Sequence, residues 1–238
     1  MIKFALIDMD GVLYDSMPYH TLAWQQMLQE IGISTDRDEF YLYEGMTGKA
    51  TVDIIFMREL HRHATDQEAT HLYRRKADIF VAMGQKHTMP DADRMIRTLM
   101  EHGVGRVLVT GSAQNSLISR LNEDYPGAFA DDMRITAMDV THGKPDPEPY
   151  LRGLAKTGVK PEEVMVIENA PLGVRAGKAA GLLTVAVTTG PIPREAFERE
   201  GADLIFPSMA DFADALPELL ESAPHYSLTR TDTHYQHD

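Results

Sequence analysis

The chain has 238 residues, 43% of them hydrophobic, and a formal net charge of −13. This length and apolar content allow one large domain or two smaller ones with a substantial core. The acidic balance argues against a protein that binds a nucleic-acid backbone, and the absence of cysteine excludes disulfides, thiolate metal sites and cysteine nucleophiles. No apolar run approaches the roughly 20 residues of a membrane span, and the N-terminus lacks a signal-peptide pattern. We therefore expect a soluble, cytoplasmic protein that binds neither nucleic acid nor membranes.

Five short apolar runs predict β-strands. They cover residues 4–8, 106–110, 164–168, 183–187 and 203–206. Apart from their polar ends these runs do not alternate with polar residues, which is typical of strands that helices cover on both faces. Helical patterns lie between the runs, at about 91–102, 114–122, 147–157, 172–180 and 210–221. The chain is therefore predicted to have an α/β fold, with a Rossmann-like core in which helices cover both faces of a parallel sheet.

The segment that follows the first predicted strand has no strong strand signal. Between Tyr14 and about Thr88 it shows only helical periodicity, as in HTLAWQQMLQEIG and TVDIIFMRELHRH. A simple crossover between parallel strands is much shorter than these roughly 70 residues. We therefore predict a core domain of residues 1–14 and 88–221 with an inserted helical cap domain of residues 15–87. Residues 222–238 are polar and non-periodic, and they are predicted to form a flexible tail.

Polar residues stand at the ends of several predicted strands and in one proline-rich turn. They are Asp8, Asp10, Thr110, Gly111, Ser112, Lys144, Glu168 and Asn169. Ligands of open parallel sheets bind beyond the carboxyl ends of the strands. We therefore expect these residues to form one site.

The chemistry of this set suits a phosphoryl group and a divalent cation. Thr110 and the Gly111 amide are fixed donors for a phosphate, and Lys144 adds a positive charge that also keeps a nearby carboxylate ionised. Carboxylate and amide oxygens, such as those of Asp8 and Asn169, are ligands that Mg²⁺ prefers. Each residue alone is also compatible with an ordinary helix cap or turn. Their occurrence at successive strand ends favours a functional site.

Four motifs in this order resemble the haloacid dehalogenase (HAD) superfamily, most of whose members are Mg²⁺-dependent phosphohydrolases. The motifs are DMDGVLYDS at 8–16, VTGS at 109–112, GKPDPEPY at 143–150 and VIENAPLGVRAG at 166–177. The resemblance covers essentially the whole chain apart from the tail, and it identifies the helical insertion as the family's cap. The β-phosphoglucomutase-like subgroup is the most similar, because His20 and Trp24 follow the first motif as they do there.

The resemblance implies a role for each motif. Asp8 is the nucleophile that becomes an aspartyl-phosphate, and Asp10 is first the general acid and then the general base. The implied phosphate-binding residues are Thr110, Gly111, Ser112 and Lys144. The implied Mg²⁺ ligands are Asp8, the Asp10 carbonyl, Asn169 and, directly or through water, Glu168. The family often has Asp where this chain has Asn169, which removes one negative charge but leaves an amide oxygen as a ligand.

Three cap residues are candidates for contact with the substrate. His20 lies near the hinge and is placed to meet Asp10 or the substrate, while Trp24 is expected in the cap core. In the resembling subgroup a lysine aligned with Lys76 reaches the active site. Glu44 begins the loop EGMTGK, where it would either reach a metal or a substrate hydroxyl or remain a solvated loop acid.

The same loop bears on the substrate. β-Phosphoglucomutases carry an arginine there that grips a second phosphate, whereas this chain has Gly48 followed by Lys49. Lysine is a poorer bidentate clamp for phosphate, and Glu44 would repel a bare distal phosphate. The loop therefore favours a compact substrate, either inorganic pyrophosphate or a small sugar phosphate.

The sequence thus predicts an Mg²⁺-dependent phosphohydrolase of small phosphorylated metabolites, a monomer or weak dimer. A phosphotransferase of the β-phosphoglucomutase type is the alternative. A non-catalytic binding protein with the same fold is a third hypothesis, which the presence of Asp8, Asp10 and Lys144 disfavours.

Overall fold

The computed structural model describes residues 1–84, 87–112 and 115–222. Within these residues six strands form one parallel sheet. They are β1 Phe4–Ile7, β2 Gly105–Val109, β3 Arg134–Ile135, β4 Val164–Glu168, β5 Leu183–Val187 and β6 Leu204–Phe206. The five predicted strands are confirmed. The short edge strand β3 was missed, because two residues give no apolar run.

Helices connect the strands and cover the sheet. They are α1 Met17–Glu30, α2 Gly48–Leu60, α3 Asp66–Ala82, α4 Ala92–Glu101, α5 Asn115–Ile118, α6 Leu121–Asp124, α7 Glu148–Thr157, α8 Pro171–Ala179, α9 Arg194–Arg199 and α10 Met209–Ser222. Short 3₁₀ turns cover Asp38–Tyr41 and Pro161–Glu163. The prediction of one helix over 114–122 was wrong. The described residues of this stretch form two single turns, α5 and α6, separated by Ser119 and Arg120, and serine and asparagine, which occur at 119 and 122, are weak helix formers.

The order of the strands, β3-β2-β1-β4-β5-β6, places β1 in the middle of the sheet. Ile7 at the end of β1 lies opposite Leu108 of β2 and Ile167 of β4. Because the three strands are parallel and in this register, the residues that follow them meet at one edge. The sheet register therefore brings Asp8, Thr110 and Glu168 together.

Both faces of β1 are buried, which explains its unbroken apolar run. Ala5 and Ile7 belong to a core that includes Met95 of α4 and Phe212 of α10. Leu6 faces the opposite way, toward Tyr150 of α7. Burying a side chain of the size of leucine or isoleucine contributes roughly 1.5–3 kcal/mol. The predicted α/β core with helices on both faces is confirmed.

Helices α1, α2 and α3, with the loops between them, form a layer over the carboxyl edge of the sheet, here called the cap layer (residues 17–82). α1 packs on α3 and α3 on α2, and Trp24 stacks on Phe40 with ring centroids 5.9 Å apart. Trp24 is 8% exposed, as expected for a residue of the cap core. The predicted helical insertion is therefore present as a packed layer.

The chain enters and leaves the cap layer through two adjacent segments. The Asp15 amide donates to the His87 carbonyl at 3.0 Å, and the Met89 amide donates to the Leu13 carbonyl at 2.8 Å. The cap boundaries at residues 15 and 87 stay a prediction, and the predicted tail of residues 222–238 lies outside the described residues except for Ser222. In the described part of the chain, no helix combines the length and apolar character needed to cross a membrane.

Candidate active site

Asp8 follows β1 and is paired with Lys144 from the loop before α7. Lys144 Nζ donates to Asp8 Oδ1 at 2.5 Å, to Glu168 Oε1 at 2.6 Å and to the Val109 carbonyl at 3.2 Å. Asp8, Lys144 and Glu168 are each no more than 3% exposed. A buried charge is tolerated when it is paired and fully hydrogen-bonded. One ammonium here is shared by two carboxylates, so the cluster would carry an excess of negative charge if both carboxylates were ionised.

Glu168 is held by four donors at the end of β4. Its Oε1 accepts from Lys144 and from the Tyr150 hydroxyl at 2.7 Å. Its Oε2 accepts from the main-chain amides of Asn169 and Ala170 at 2.9 and 3.1 Å, where α8 begins. Both oxygens are thus engaged in orienting Lys144 and the turn. A role as a metal ligand, which stays a prediction, would require Glu168 to give up some of these bonds.

The electrostatics of this cluster favour an added cation. Burial raises the pKa of Asp8 to about 8; Lys144 opposes this rise, while Glu168 and Asp10 add to it. Burial alone would lower the pKa of Lys144, but Asp8 and Glu168 hold it above its usual value, so Lys144 stays protonated. A divalent cation bound to Asp8 would lower the pKa of this carboxyl and keep it ionised near neutral pH.

Asp10 lies at the end of a hydrogen-bonded chain that begins in the cap layer. Its Oδ1 accepts from Ser16 Oγ at 2.6 Å and lies 2.9 Å from His20 Nε2. Lys76 Nζ of α3 lies 2.5 Å from His20 Nδ1, and the imidazole stacks on Phe80 at 4.1 Å between centroids. When Lys76 donates to Nδ1, Nε2 carries the ring proton and donates to Asp10. The structure thus places His20 and Lys76 close to Asp10. Their contact with a substrate stays a prediction.

The pKa values of this chain follow from burial and neighbouring charge. Burial alone would raise the pKa of Asp10, but His20, Ser16 and Lys76 outweigh it and lower the value. Burial lowers the pKa of Lys76 to about 7, although the charge of Asp10 partly opposes this. Lys76 therefore changes charge near neutral pH.

Glu44 and Asn169 meet where the cap layer touches the sheet edge. Glu44 Oε1 accepts from Asn169 Nδ2 at 2.9 Å. Glu44 is 7% exposed, so the alternative of a solvated loop acid is wrong. Burial, reinforced by the charge of Asp8, raises the pKa of Glu44 well above its usual value. Glu44 lines the cavity between the cap layer and the sheet edge, and its raised pKa favours the neutral carboxylic acid when no cation is bound.

The carbonyl oxygen of the Asn169 side chain supports a metal at this place. Among the described residues no donor reaches the buried Asn169 Oδ1, and a buried acceptor without a partner is costly. No cluster of three or more His, Cys, Asp and Glu side chains able to hold a metal occurs in the described part of the chain. The predicted set is of a different kind, because it combines the Asp8 carboxylate with an amide and a main-chain oxygen. The donor chemistry fits Mg²⁺.

The loop after β2 lies under the cap layer. Thr110 Oγ1 accepts from the Ser112 amide at 3.0 Å, which fixes the start of the loop. A Cβ built on Gly111 would lie 2.5 Å from the Gly45 carbonyl oxygen, so only glycine permits this approach of the loop to the cap layer. The helix after this loop is the short α5, so the long helix expected behind these amides is absent from the described residues.

A cavity of about 60 Å³ remains between the sheet edge and the cap layer. Typical small-molecule pockets measure roughly 300–1,000 Å³. The lining includes Asp8, Asp10, Thr110, Gly111 and Ser112 from the core, and His20, Trp24, Phe40, Tyr43, Glu44, Tyr73 and Lys76 from the cap layer. Lys144 contacts this lining through Asp8, and Asn169 contacts it through Glu44. The space suits a phosphoryl group with a small leaving group.

Two side chains of the site had no role in the sequence analysis. Tyr150 belongs to the motif GKPDPEPY and donates to Glu168, and Ser16 ends the first motif and donates to Asp10. Both residues lie within the quoted motifs. The sequence alone, however, does not show to which group a serine or tyrosine hydroxyl donates. Tyr73, which lines the cavity, stood in a helical pattern and was indistinguishable from a core residue.

Several known proteins are similar to this chain in sequence and in structure. A family model described as haloacid dehalogenase-like hydrolase matches residues 2–181. Hexitol phosphatase A of Escherichia coli is 28% identical, with 87% of this chain and 91% of the relative covered. Beta-phosphoglucomutase of Bacillus subtilis is 26% identical over 88% of this chain and 91% of the relative. A solved structure from Bacteroides vulgatus, provisionally named beta-phosphoglucomutase, is 44% identical with a TM-score of 0.89, covering 93% of this chain and 90% of its own.

The family model covers more than half of the chain, and the fold and the order of the motifs agree with it. The predicted resemblance and the prediction of a HAD-family phosphatase are therefore confirmed, and the family is typically Mg²⁺-dependent. The chain belongs to the haloacid dehalogenase-like hydrolases, in their β-phosphoglucomutase-like subgroup.

Proposed function

We propose that the protein is an Mg²⁺-dependent phosphohydrolase of compact phosphorylated metabolites that works through an aspartyl-phosphate on Asp8. The observation that carries the proposal is the pairing of Asp8 with a buried Lys144 at 2.5 Å, next to an Asp10 that Ser16 and His20 orient. One carboxylate is thus held beside a fixed cation, and the other is linked to proton donors. This division suits a nucleophile and an acid/base.

In the first half-reaction, an oxygen of Asp8 attacks the phosphorus and the bond from phosphorus to the leaving oxygen breaks. Asp10 gives a proton to that oxygen. Because its lowered pKa keeps Asp10 ionised in the free enzyme, this proton reaches Asp10 from the chain of Lys76 and His20 once the substrate is bound. Lys144 and the Thr110–Ser112 loop face the phosphoryl oxygens, where fixed donors stabilise developing charge.

In the second half-reaction, Asp10 takes a proton from a water molecule whose oxygen attacks the phosphorus of the aspartyl-phosphate. The bond from phosphorus to the Asp8 oxygen breaks, which releases inorganic phosphate and restores the carboxylate. Because the same group gives and then takes a proton, one acid/base residue serves both steps.

The residues that would hold Mg²⁺ are Asp8, the Asp10 carbonyl and Asn169 Oδ1. When bound, the ion would neutralise charge on the phosphoryl oxygens and reduce their repulsion of Asp8. The buried Asn169 Oδ1, which no donor reaches in the described part of the chain, and the raised pKa of Asp8 support this arrangement. Glu44, 2.9 Å from Asn169 Nδ2, is near enough to contact the ion or its waters.

The substrate is a small one, and we propose inorganic pyrophosphate or a small sugar phosphate. The cavity of about 60 Å³ supports this size limit. Lys76 adds a cation for an anionic leaving group, and Glu44 can accept from a hydroxyl or approach a metal-complexed anion. We propose that residues 15–87 act as a cap that closes over this substrate.

The alternative, a phosphotransferase of the β-phosphoglucomutase type, draws its support from the two relatives that carry this name. The loop at Gly48 weighs against it. Lys49, which follows Gly48 in the sequence, pairs with Asp66, and its side chain is 58% exposed. Lys49 does not line the cavity. The loop thus offers no arginine clamp for a second phosphate.

The test is a phosphate-release screen with Mg²⁺ over pyrophosphate, triose to hexose phosphates and β-glucose 1-phosphate. We expect release from pyrophosphate or a small sugar phosphate. Conversion of β-glucose 1-phosphate to glucose 6-phosphate without phosphate release would favour the mutase. The absence of both reactions, with phosphate still bound, would favour the non-catalytic hypothesis.

A further inference from the structure

Tyr73 stands between two spaces of different size. One is the cavity of about 60 Å³ above Asp8. The other is a groove of about 1050 Å³ between helices α2 and α3 of the cap layer and the core segment 137–141, here called the outer groove. Tyr73 and Gly48 belong to the linings of both. The two residues therefore form the partition between the cavity and the outer groove.

The partition is tight because the ring of Tyr73 lies directly on Gly48. A methyl group built on Gly48 would come within 1.9 Å of Cδ2 and 2.2 Å of Cε2 of the ring. The ring is also held from the cavity side, since its centroid lies 6.2 Å from that of Trp24 and 5.9 Å from Lys76 Nζ. Only a glycine at position 48 lets the ring close the passage in this way.

The outer groove offers contacts of a particular chemistry. Its lining includes the hydroxyl-bearing Thr47, Thr70 and Thr141, the charged Lys49, Arg74 and Asp78, and the apolar Val81, Met138 and Val140. Lys49 pairs with Asp66 and the lining also contains the acid Asp78, so the groove carries both signs of charge, and its polar groups favour a hydroxylated occupant. The groove matches a longer hydroxylated chain than the cavity can hold.

We propose that Tyr73 is a specificity-determining residue, whose ring restricts the enzyme to compact phosphorylated substrates by separating the cavity from the outer groove. The inference rests on the proposed phosphohydrolase function. With the ring removed, the two spaces join, and the outer groove accepts the distal part of an elongated polyol phosphate while its phosphoryl group stays at Asp8.

The experiment compares wild type, Tyr73→Ala and Tyr73→Phe by phosphate release. Pyrophosphate and 2-phosphoglycolate are the compact substrates, and sorbitol 6-phosphate and sedoheptulose 7-phosphate are the elongated ones. We expect the kcat/KM ratio of elongated to compact substrates to rise about tenfold or more in Tyr73→Ala, a usual size for steric discrimination. The ratio in Tyr73→Phe should equal that of wild type, because the ring remains. If Tyr73→Ala does not fold, Tyr73→Leu replaces it.

A binding measurement keeps this inference separate from the proposed function. Calorimetry with sorbitol 6-phosphate compares Asp8→Asn with Asp8→Asn/Tyr73→Ala, and the double variant should bind about tenfold more tightly. Unchanged ratio and affinity would overturn the role of Tyr73. Wild-type hydrolysis of sorbitol 6-phosphate as efficient as that of the compact substrates would also overturn it, while leaving the phosphohydrolase intact. If wild type releases phosphate from none of the compounds, the proposed function fails and the binding comparison alone decides about Tyr73.

Discussion

The core side and the cap side of the site are held in place by different contacts. Asp8 and Glu168 end neighbouring strands of one sheet and share Lys144, so their geometry is a consequence of strand register. Glu44 and Lys76 lie in the cap layer. Glu44 is hydrogen-bonded to Asn169, and Lys76 is hydrogen-bonded to His20, which contacts Asp10. The groups that we propose for phosphoryl transfer are therefore fixed by the sheet edge. The groups that we propose to select the substrate depend on where the cap layer lies.

Removing Lys144 should have the largest effect, because it takes away the one cation that two buried carboxylates, Asp8 and Glu168, share. We expect Lys144→Ala to lower the free energy of unfolding by about 3–5 kcal/mol, measured by urea denaturation. Lys3→Ala is the matched control. Lys3 forms a salt bridge with Glu163, but the Lys3 side chain is 57% exposed. The loss of this surface bridge should therefore change the free energy of unfolding little. Equal losses in the two variants would contradict the view of the core side as a buried, fixed charge cluster.

Asp10 lies in the core, but His20 of the cap layer helps to orient it. Variants of these two residues therefore test how much the cap side contributes to acid/base catalysis. Asp10→Asn should lower kcat by about 10²–10⁴-fold, the usual contribution of a general acid/base. His20→Ala should lower kcat by less, because Ser16 still holds Asp10. Steady-state kinetics with the best substrate of the screen measures both. A larger loss in His20→Ala than in Asp10→Asn would place the acid/base on the cap side instead.

Asn169 tests whether the sheet edge holds the metal. We expect Asn169→Ala to weaken Mg²⁺ binding roughly 10–100-fold, a range typical of changes close to a metal site, as measured by calorimetry without substrate. Asn169→Asp adds a carboxylate beside Asp8 and Glu44, so its Mg²⁺ affinity should exceed that of wild type. Mg²⁺ affinity that is equal in all three proteins would remove Asn169 from the metal site.

The smallest predicted effect is a pH dependence that comes from the cap side. Burial lowers the pKa of Lys76 to about 7, so this side chain is charged below that pH and neutral above it. An anionic substrate is attracted only by the charged form, and kcat/KM should therefore fall as the pH rises through about 7. Lys76→Met should lose this limb of the profile while keeping the rest. The same limb in Lys76→Met would show that another group causes it.

Much of the core side could be predicted from the sequence, because strand ends can be recognised in it. The run Phe4–Ile7 ends at Asp8, and parallel pairing then forces Asp8 next to Glu168. Tyr150 was beyond such reasoning, since its bond to Glu168 depends on how α7 packs on the sheet. Sequence pattern marks the acids at the edge, but it does not show which buried side chain donates to them.

The cap side was less predictable for a physical reason. Glu44 lies in a loop, where exposure is the ordinary expectation, and only the approach of that loop to Asn169 buries it. Tyr73 has the spacing of a core residue, and its place between two cavities depends on Gly48. The helix expected over 114–122 is interrupted between α5 and α6, at Ser119 and Arg120, in a stretch where Ser119 and Asn122 are weak helix formers.

The central claim is that Asp8 takes the phosphoryl group, and acid-quench labelling tests it most directly. Wild type and Asp8→Asn are mixed with Mg²⁺ and the best substrate of the screen, labelled with ³²P at the transferred phosphoryl group, and are quenched in acid during turnover. The account predicts acid-stable, hydroxylamine-labile label on wild type, and neither label nor phosphate release in Asp8→Asn. Label or substantial turnover in Asp8→Asn would contradict it.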